Sequence, residues 1–320
     1  MVDLYLVFLM TLFHLDSSDQ LASLTFEEKT LVIDELLMEA PSIGIGNIIR
    51  AIPPISLEPY VYPPAISAEA AVVVDPVSGK ILWEKNRDTQ RPIASLTKLM
   101  TVAAVLDTMP DLSQEVTISR EDLTPRIGSW LRVSEGEIVT LNDLLSATLV
   151  GSMNNAAEAF VRGAGLSEED CVFQMNTKAQ SLGMAHTMFV DVTGLDPENI
   201  STPTDLVRLV AHVFSYEKIL QTVLQPTYEF RTIDSDRVIH FSSTNALLDN
   251  SSFTFRGAKT GFLDEAGYTF AAYLEQDDKQ VITALLGAPS ASARFTETTS
   301  LAEWAFRTHT WFSFFTSPPK

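Results

Sequence analysis

The apolar residues of this chain follow two different periods, one typical of strands and one typical of helices. Near the start of its globular part, the β-rich runs AAVVVD and KILWEK flank the turn sequence PVSG, which predicts a β-hairpin. A second hairpin is predicted late in the chain, where GYTFAAYLEQ and KQVITALLGA flank Asp277-Asp278. The run RGAKTGF just before it predicts one more short strand. Together these segments predict about five strands joined by tight turns and therefore antiparallel.

Between the two strand regions, the apolar residues recur at helical spacing. Five segments share this pattern: LTKLMTVAAVLDTM, LNDLLSATLV, NNAAEAFVRGAG, VFQMNTKAQSLG and DLVRLVAHVFS. Two of them have capping signals at their start, since Thr140 precedes Asp143 by three residues and Thr202 precedes Asp205 by three. A last helix is predicted over residues 293–309, after the final strand.

The order of these elements predicts a fold class. Two strands are followed by a block of helices, then by three strands and a closing helix. The first and last strands must share one sheet, because neither group can bury its apolar face alone. We therefore predict an α/β (α+β) fold, with an antiparallel sheet of roughly five strands flanked by helices and a helical subdomain inserted between its parts.

The first 67 residues do not follow this pattern. Residues 4–15 form an apolar run (LYLVFLMTLFHL) as long as a signal-peptide core but short for a membrane span. Asp3 stands where such a signal has a basic residue, so a buried or interfacial segment is the alternative to an export or anchor signal. Residues 53–64 hold five prolines, which predict an extended linker. The predicted divisions are a signal or anchor over 1–20, an N-terminal segment and linker over 21–67, a globular domain over 68–310 and a tail over 311–320.

Composition excludes several classes of function. The 320 residues include 41 acidic and 22 basic side chains, so the formal net charge is −19. A surface this acidic repels phosphate backbones, and no nucleic-acid partner is expected. Cys171 is the only cysteine, and the five histidines show no spacing typical of metal ligands. We therefore predict no disulfide, no metal and no cofactor.

Three short motifs with candidate chemistry occur in order along the chain. They are Ser95-x-x-Lys98, Ser152-Met153-Asn154 and Lys259-Thr260-Gly261. Each motif is weak alone, because other segments match the first two patterns. These segments are Ser215 with Lys218, Ser317 with Lys320, and Ser243 with Asn245. The surroundings of each serine and lysine therefore decide among them.

Lys98 can activate Ser95 only if the pKa of the lysine is lowered. A serine hydroxyl is a weak nucleophile until a base takes its proton, and burial favours the neutral amine that can act as that base. The segment after Lys98, LMTVAAVLDTM, is apolar on nearly every side, which predicts an interior helix with Ser95 at its positive N-terminal end. Lys218 lies beside Glu217 in a polar segment, so we favour Ser95 with Lys98 over Ser215 with Lys218.

The other two motifs have structural alternatives when each is taken alone. Ser152 and Asn154 either aim polar groups into a cleft or cap the helix that follows them. Lys259 and Thr260 can hold a carboxylate, while Gly261 lets a ligand backbone come close. The alternative for this third motif is a strand end with a solvated lysine. Only the presence of all three motifs favours one shared site.

From about residue 70 to residue 307, the sequence resembles the low-molecular-mass penicillin-binding proteins, the serine-type D-alanyl-D-alanine carboxypeptidases. The resemblance rests on the three motifs and on the amino-acid sequence around them, from AAVVVDPVSGKILWEK to GAKTGFLDEAGYTFAAYLEQDDKQVITALLGA. It implies a transpeptidase-like catalytic domain over 68–310, with the helical subdomain between the first and third motifs. It also implies D-Ala-D-Ala ends of peptidoglycan pentapeptides as substrate, β-lactams as covalent inhibitors, and an extracytoplasmic place of action with N-terminal membrane association as an option.

The resemblance further implies catalytic roles for four residues. Ser95 attacks the carbonyl between the last two D-alanines, assisted by Lys98, and forms an acyl-enzyme that water then hydrolyses. Ser152 passes a proton to the leaving D-alanine. Backbone N–H groups of Ser95 and Phe262 form the oxyanion hole, an arrangement typically worth ~10² or more in rate.

The implied substrate-binding residues come with two departures from the family pattern. Lys259 and Thr260 receive the terminal carboxylate, with Gly261 beside them, and Asn154 contacts the peptide. Met153 replaces the usual glycine of the second motif, where its side chain would narrow a cleft. Thr204 stands where relatives often carry an arginine that supports carboxylate binding, which puts the affinity for a free C-terminus in doubt.

Three alternatives to a carboxypeptidase follow. An endopeptidase that cuts internal peptide cross-links is favoured in part by Thr204. A class A β-lactamase needs a glutamate that positions water, and no E-x-x-x-N pattern occurs between Ser152 and Lys259. A non-catalytic wall-binding protein that kept the fold is disfavoured, because all three motifs are intact.

Overall fold

The structure is a computed structural model that describes residues 53–58, 60–123, 128–248 and 252–311. The N-terminal apolar run and the predicted segment up to residue 52 lie outside these residues, as does the tail after Trp311. The predicted boundary at residue 20 lies outside the described residues and the one at residue 67 inside them, and both stay predictions. Within the described ranges, none of the helices combines the length and the apolar character needed to cross a membrane.

The described residues form thirteen strands, several of them only two residues long. In chain order these are β1 (Ile55–Ser56), β2 (Ala70–Val74), β3 (Ile81–Lys85), β4 (Arg91–Pro92), β5 (Glu115–Thr117), β6 (Ile138–Thr140), β7 (Ile200–Ser201), β8 (Thr227–Arg231), β9 (Val238–Ser242), β10 (Thr254–Leu263), β11 (Gly267–Gln276), β12 (Lys279–Ala288) and β13 (His309–Thr310). Five of them, β2, β3, β10, β11 and β12, belong to one sheet, and the other eight form two-stranded ribbons.

The same residues form seven α-helices, six of which match the predicted helical segments. They are α1 (Thr97–Asp107), α2 (Leu141–Leu149), α3 (Asn154–Gly163), α4 (Glu168–Ser181), α5 (Pro203–Val213), α6 (Glu217–Val223) and α7 (Ala291–Thr308). Helix α6 and the ribbon of β8 and β9 were not predicted, because both are short and mix charged with apolar residues.

The main sheet has five antiparallel strands in the order β10-β11-β12-β2-β3. Strand β2 pairs with β12, where Val74 lies opposite Ile282, so the first and last strands share one sheet as predicted. All five residues of β2 are buried, because this strand lies inside the sheet with a helix layer on either side. Strand β10, which carries Lys259, is an edge strand.

The two faces of the sheet bury alternate residues against different layers. Val72 and Ile282 belong to the large core built with the helical subdomain, while Val73 and Val281 pack with residues of α7 such as Leu301. This alternation follows from the pleat of a strand, which points successive side chains to opposite faces. Helix α5 covers the first face and α7 the second.

The predicted start signals of two helices have different outcomes. At α2, Asp143 N–H donates to the Thr140 hydroxyl at 3.1 Å and Thr140 N–H donates to the Asp143 carboxylate at 3.0 Å, which completes the capping box. At α5, Asp205 N–H donates to Thr202 at 3.1 Å. The Asp205 carboxylate instead accepts from His186 N–H at 2.8 Å, so the predicted reciprocal box at α5 is not formed.

Candidate active site

Ser95 lies at the junction between the sheet and helix α1. It occupies a 3₁₀ turn, Ala94–Leu96, that leads directly into α1. Ala94 has a φ of 49°, a left-handed conformation that a residue with a side chain adopts only when the surrounding structure enforces it. The turn leaves Ser95 partly exposed, while residues 97–105 of α1 are all buried. The predicted interior helix behind the nucleophile is therefore observed.

Lys98 is fully buried beneath Ser95 and makes three hydrogen bonds. Its Nζ lies 2.9 Å from Ser95 Oγ, 2.7 Å from Asn154 Oδ1 and 2.6 Å from the Thr193 carbonyl oxygen. The two carbonyl-type oxygens can only accept. A neutral amine satisfies both with its two N–H groups and keeps its lone pair for the Ser95 hydroxyl proton. The geometry therefore fits an uncharged Lys98 that acts as a base.

The electrostatic surroundings favour the same state. Burial lowers the pKa of Lys98 from 10.5 to about 7, because the apolar helix does not solvate an ammonium. The nearby carboxylates of Asp191 and Glu158 oppose this shift. A base with a pKa near neutrality has both a large neutral fraction and enough basicity to take a proton.

Ser152 is held by Lys259. Lys259 Nζ lies 2.6 Å from Ser152 Oγ and 3.0 Å from the Thr260 carbonyl oxygen. Ser152 has a φ of 56°, a second left-handed residue in the site. Helix α3 has Met153 at its cap position with no side-chain capping bond, so Ser152 and Asn154 do not cap it. The structural alternative for this motif is therefore not what the structure shows.

Lys259 is also removed from solvent. Its side chain is 1% exposed, which rules out the solvated lysine at a strand end. Burial lowers the pKa of Lys259 well below the usual range, and the protonated form of Lys98 and the Arg294 guanidinium lower it further. The neighbouring Thr260 hydroxyl lies 2.6 Å from the Thr244 hydroxyl, so the third motif offers a row of hydrogen-bonding groups along the edge strand.

Gly261 brings the edge strand against the nucleophile. A Cβ atom at this position would overlap the Thr269 hydroxyl and would lie 2.9 Å from the Ser95 backbone nitrogen. No side chain fits in that space. Phe262 follows Gly261 on the strand, so the backbone of the predicted oxyanion hole is adjacent to Ser95, and the role of its N–H groups stays a prediction.

A cleft of about 380 Å³ joins these groups. Of the predicted residues, six line it, and the two buried lysines lie beneath it. The six are Ser95, Ser152, Asn154, Thr260, Gly261 and Phe262. Phe262 is 48% exposed at the rim and packs on Tyr268, with ring centroids 4.3 Å apart. The structure thus brings all three motifs into one site.

Arg294 also lines the cleft and was missed by the sequence analysis. It lies in the first turn of α7, where its Nη1 donates to the Gly261 carbonyl oxygen at 2.9 Å. Its guanidinium is 5.3 Å from the ring centroid of Tyr268 and 4.7 Å from that of Phe295. The only sequence signal was a basic residue near the start of a helix that follows the last strand.

Two expectations about specificity are wrong. Met153 does not narrow the cleft, because its side chain turns away and lines a different cavity beside Phe241. Thr204 lies outside the cleft lining as well, where its hydroxyl donates to the Asp88 carboxylate at 2.7 Å. The arginine in the cleft is Arg294, which comes from a different element, so Thr204 gives no reason to doubt carboxylate binding.

This arrangement defines a class of protein, the serine hydrolases that activate their nucleophile with a lysine. Comparison with known families is more specific: residues 58–290 match the D-alanyl-D-alanine carboxypeptidase family, peptidase family S11. The match spans most of the chain, and the protein belongs to this family. It is a serine-type D-Ala-D-Ala peptidase with a role in cell-wall metabolism.

Individual relatives support this assignment. The chain is 32% identical over 241 residues to a D-alanyl-D-alanine endopeptidase of Pseudomonas aeruginosa, which covers 75% of this chain and 77% of the relative. It is 31% identical over 260 residues to the D-alanyl-D-alanine carboxypeptidase DacC of Escherichia coli, covering 78% and 64%.

Solved structures give the same fold. The Streptomyces K15 DD-transpeptidase superposes with a TM-score of 0.72 at 27% identity, covering 77% of this chain and all of that one. Penicillin-binding protein D2 of Listeria monocytogenes, in a cefotaxime-bound form, superposes with a TM-score of 0.68 at 35% identity, covering 78% and 99%. The predicted fold class and family are therefore confirmed.

Proposed function

We propose that this enzyme removes the terminal D-alanine from peptidoglycan stem peptides through an acyl-enzyme on Ser95. The single observation that carries the proposal is the hydrogen-bond pattern of Lys98. Two of its bonds go to pure acceptors, at 2.7 and 2.6 Å, and the third goes to Ser95 at 2.9 Å. That pattern leaves one lone pair directed at the hydroxyl that must lose a proton.

The proton transfers of the proposed reaction balance within the site. Neutral Lys98 takes the proton of Ser95 as its oxygen bonds to the carbonyl carbon of the penultimate D-alanine. The amide C–N bond then breaks, and Ser152 gives its proton to the leaving amine, with Lys259 stabilising the serine oxygen at 2.6 Å. Protonated Lys98 then returns its proton to Ser152, which resets both groups for the second half of the reaction. Water attacks the ester, neutral Lys98 accepts a water proton, and that proton passes to the Ser95 oxygen as the ester bond breaks.

The leaving residue is recognised by its free carboxylate. Thr260 and Thr244 place two hydroxyls 2.6 Å apart on one wall of the cleft, and the Arg294 guanidinium lies on the same side through its bond to Gly261. A carboxylate that meets hydroxyls and a buried guanidinium forms charge-assisted hydrogen bonds, which are stronger than neutral ones. This wall favours a substrate that ends at the cleft.

Two assays test the proposal. Fluorescent penicillin must label the wild type covalently and must fail to label Ser95→Ala, since β-lactams acylate the same oxygen. A synthetic pentapeptide that ends in D-Ala-D-Ala must release free D-alanine, and Ser95→Ala must release none. Undiminished labelling of Ser95→Ala would show that another residue is the nucleophile.

A second candidate function is the cutting of D-alanyl cross-links between stem peptides. The observation that favours it is similarity: relatives from Pseudomonas aeruginosa and Escherichia coli are named D-alanyl-D-alanine endopeptidases. Both functions form the same acyl-enzyme on Ser95. They differ in the leaving group, which is free D-alanine for a carboxypeptidase and the second stem peptide for an endopeptidase. Product analysis on a cross-linked muropeptide dimer separates them, because an endopeptidase yields two monomers and a strict carboxypeptidase leaves the dimer intact.

The place of action follows from the proposed substrate. Peptidoglycan lies outside the cytoplasmic membrane, so we propose that the enzyme acts there, with the apolar run over residues 4–15 as its export or anchor signal. Protease added to intact spheroplasts is expected to degrade the full chain. If the chain resists the protease until detergent dissolves the membrane, the extracytoplasmic location is contradicted.

A further inference from the structure

A second cavity of about 340 Å³ lies beside the cleft and shares no lining residue with it. Its walls combine aromatic, basic and apolar side chains. Those that matter here are Trp130, Arg132, Met153, Arg237, His240 and Phe241. The mechanism proposed above uses none of them.

The cavity adjoins one particular end of the cleft. Ser152 lines the cleft, and the next residue, Met153, lines the cavity. On the other wall, strand β9 lines the cavity and the chain then continues to Thr244, whose hydroxyl lies 2.6 Å from that of Thr260. The cavity is therefore next to the groups that would receive the leaving part of the substrate.

The charges in this cavity suit an anionic ligand. Arg132 is exposed, and its side chain makes no hydrogen bond or ion pair with the described residues. Arg237 is paired with Glu137, with its Nε 2.6 Å from Oε1, and therefore contributes little free positive charge to the cavity. Arg132 and His240 are the basic side chains that can contact a ligand there. In a chain with a net charge of −19, basic groups beside a half-buried tryptophan favour a ligand that carries carboxylates on an apolar frame.

We propose that this cavity binds the second stem peptide of a cross-linked substrate, the strand that leaves when the cross-link is cut. The inference rests on the proposed acyl-enzyme chemistry and deepens its endopeptidase form. A substrate with a terminal D-alanine ends at the row of Lys259 and Thr260, and it does not reach the cavity. A cross-linked substrate continues beyond the scissile amide, and the carboxylates of its second strand meet Arg132.

The test compares two charge reversals on two substrates. Arg132→Glu is expected to lower kcat/KM for cleavage of a cross-linked muropeptide dimer by about tenfold or more, since it replaces attraction by repulsion. Release of D-alanine from the pentapeptide and labelling by fluorescent penicillin are expected to stay unchanged. Arg120→Glu, an exposed arginine outside this cavity, makes the same charge change and is expected to affect neither substrate.

Direct binding provides a second readout. Calorimetry with the inactive Ser95→Ala protein is expected to show about tenfold weaker dimer binding when Arg132→Glu is added. An equal loss on monomer and dimer, or no loss on the dimer, would overturn the inference. So would a wild type that releases D-alanine but leaves the dimer intact, although the carboxypeptidase proposal would then stand. Absence of both labelling and D-alanine release would defeat the proposed function, and the inference with it.

A different observation concerns the loop that faces Lys98. The Asp191 carboxylate accepts backbone N–H groups from Thr193 at 2.6 Å, Gly194 at 2.5 Å and Asp196 at 2.6 Å. Thr193 supplies the carbonyl that accepts from Lys98 at 2.6 Å. Gly194 has a φ of 81°, and a Cβ there would overlap the backbone of Ala94, next to Ser95. One carboxylate thus organises the segment that touches both the base and the nucleophile turn.

We infer that Asp191 is a positioning residue for Lys98. Its three hydrogen bonds hold the Thr193 carbonyl where the amine needs an acceptor. Its charge raises the pKa of the same lysine, as does that of Glu158 from α3, while burial lowers it. The neighbouring Lys259 from β10 is itself buried, and its pKa is held well below the usual range. Asp191→Asn keeps the size but loses the charge, and its amide nitrogen cannot accept from a backbone N–H.

The pH profile of acylation by fluorescent penicillin tests this role. Asp191→Asn is expected to lower the plateau rate about tenfold and to move the midpoint to lower pH, because the carboxylate no longer raises the pKa of Lys98. Burial raises the pKa of Glu158 to about 7, so this carboxyl group is only partly charged near the midpoint. Glu158→Gln is the matched control, since it removes that partial charge without removing the hydrogen bonds of Asp191. It is expected to move the midpoint in the same direction with an unchanged plateau. A plateau loss in Asp191→Asn without any midpoint shift, or no change at all, would contradict the assignment.

Discussion

Lys98 Nζ lies 2.9 Å from Ser95 Oγ, and the other two partners of this amine are oxygens that can only accept. A base with its pKa at about 7 predicts that acylation by a β-lactam rises with pH and levels off above neutrality. Stopped-flow acylation rates between pH 5 and 9 measure this profile. A rate that stays constant over this interval would show that Lys98 does not supply the base.

Replacing the base with a permanently charged group removes its function. Lys98→Arg is expected to abolish acylation, because a guanidinium stays protonated at every accessible pH. Gel detection of fluorescent penicillin measures the loss, and thermal melting checks that the variant is folded. If Lys98→Arg does not fold, Lys98→Met gives the same test with a neutral side chain. Near-normal labelling of either folded variant would assign the base to another residue.

The same burial predicts a pH-dependent stability. Lys98 has a pKa of 10.5 when unfolded and about 7 when folded, so between these values the unfolded chain binds more protons. The free energy of unfolding therefore rises with pH across this window, by roughly 5 kcal/mol for this one group. Denaturant unfolding of wild type and Lys98→Met at pH 7 and pH 10 is expected to show the wild type gaining on the variant as pH rises. Parallel curves would contradict a neutral Lys98.

Gly261 sets the spacing between the edge strand and the nucleophile. Gly261→Ala is expected to reduce acylation at least about a hundredfold, because the added Cβ displaces the strand from the Ser95 backbone. Penicillin labelling rates measure the effect. Gly165→Ala is the control for adding a methyl group away from the site, since no atom lies within 4 Å of a Cβ there. Its φ of 83° adds backbone strain that Gly261 does not have, so unchanged labelling of this variant assigns the loss at Gly261 to the contact alone. A fully active Gly261→Ala protein would show that this close approach is not required.

Arg294, and not Thr204, is expected to govern recognition of a free carboxylate. Arg294→Gln is expected to lower kcat/KM about tenfold or more for a peptide ending in D-Ala-D-Ala. The loss is expected to be smaller for the same peptide with a C-terminal amide. Thr204→Ala leaves the cleft untouched and is expected to change neither value. Equal losses on both peptides would make the role of Arg294 purely structural.

Local patterns were enough to predict the sheet, six helices and the burial of Lys98. Strand and helix periods specify which face of each element is apolar, and the helix after Lys98 had no polar face, so its burial followed directly. The same holds for the Thr140 capping box, which involves residues only three positions apart. These features depend on neighbours in sequence, and a single sequence contains that information.

Other features depend on contacts between residues far apart in the chain. Arg294 meets Gly261 only when α7 packs on the sheet, and Lys98 meets the Thr193 carbonyl only through a loop without a periodic pattern. The Asp205 backbone N–H bonds its sequence neighbour Thr202, as the local pattern predicts. The Asp205 carboxylate instead accepts from the backbone N–H of the more distant His186. The direction of Met153 was equally hidden, because it depends on the left-handed backbone of Ser152.

The central place of β12 in the sheet has a consequence for how the chain acquires its structure. Strand β12 joins β2 to β11, and paired residues such as Val74 and Ile282 are about 200 residues apart in sequence. During synthesis, the hairpin of β2 and β3 therefore cannot pair with β12 until the ribosome has made nearly the whole domain. We expect fragments that stop before β12 to lack a cooperative unfolding transition, with slow refolding of the complete domain once that strand is present.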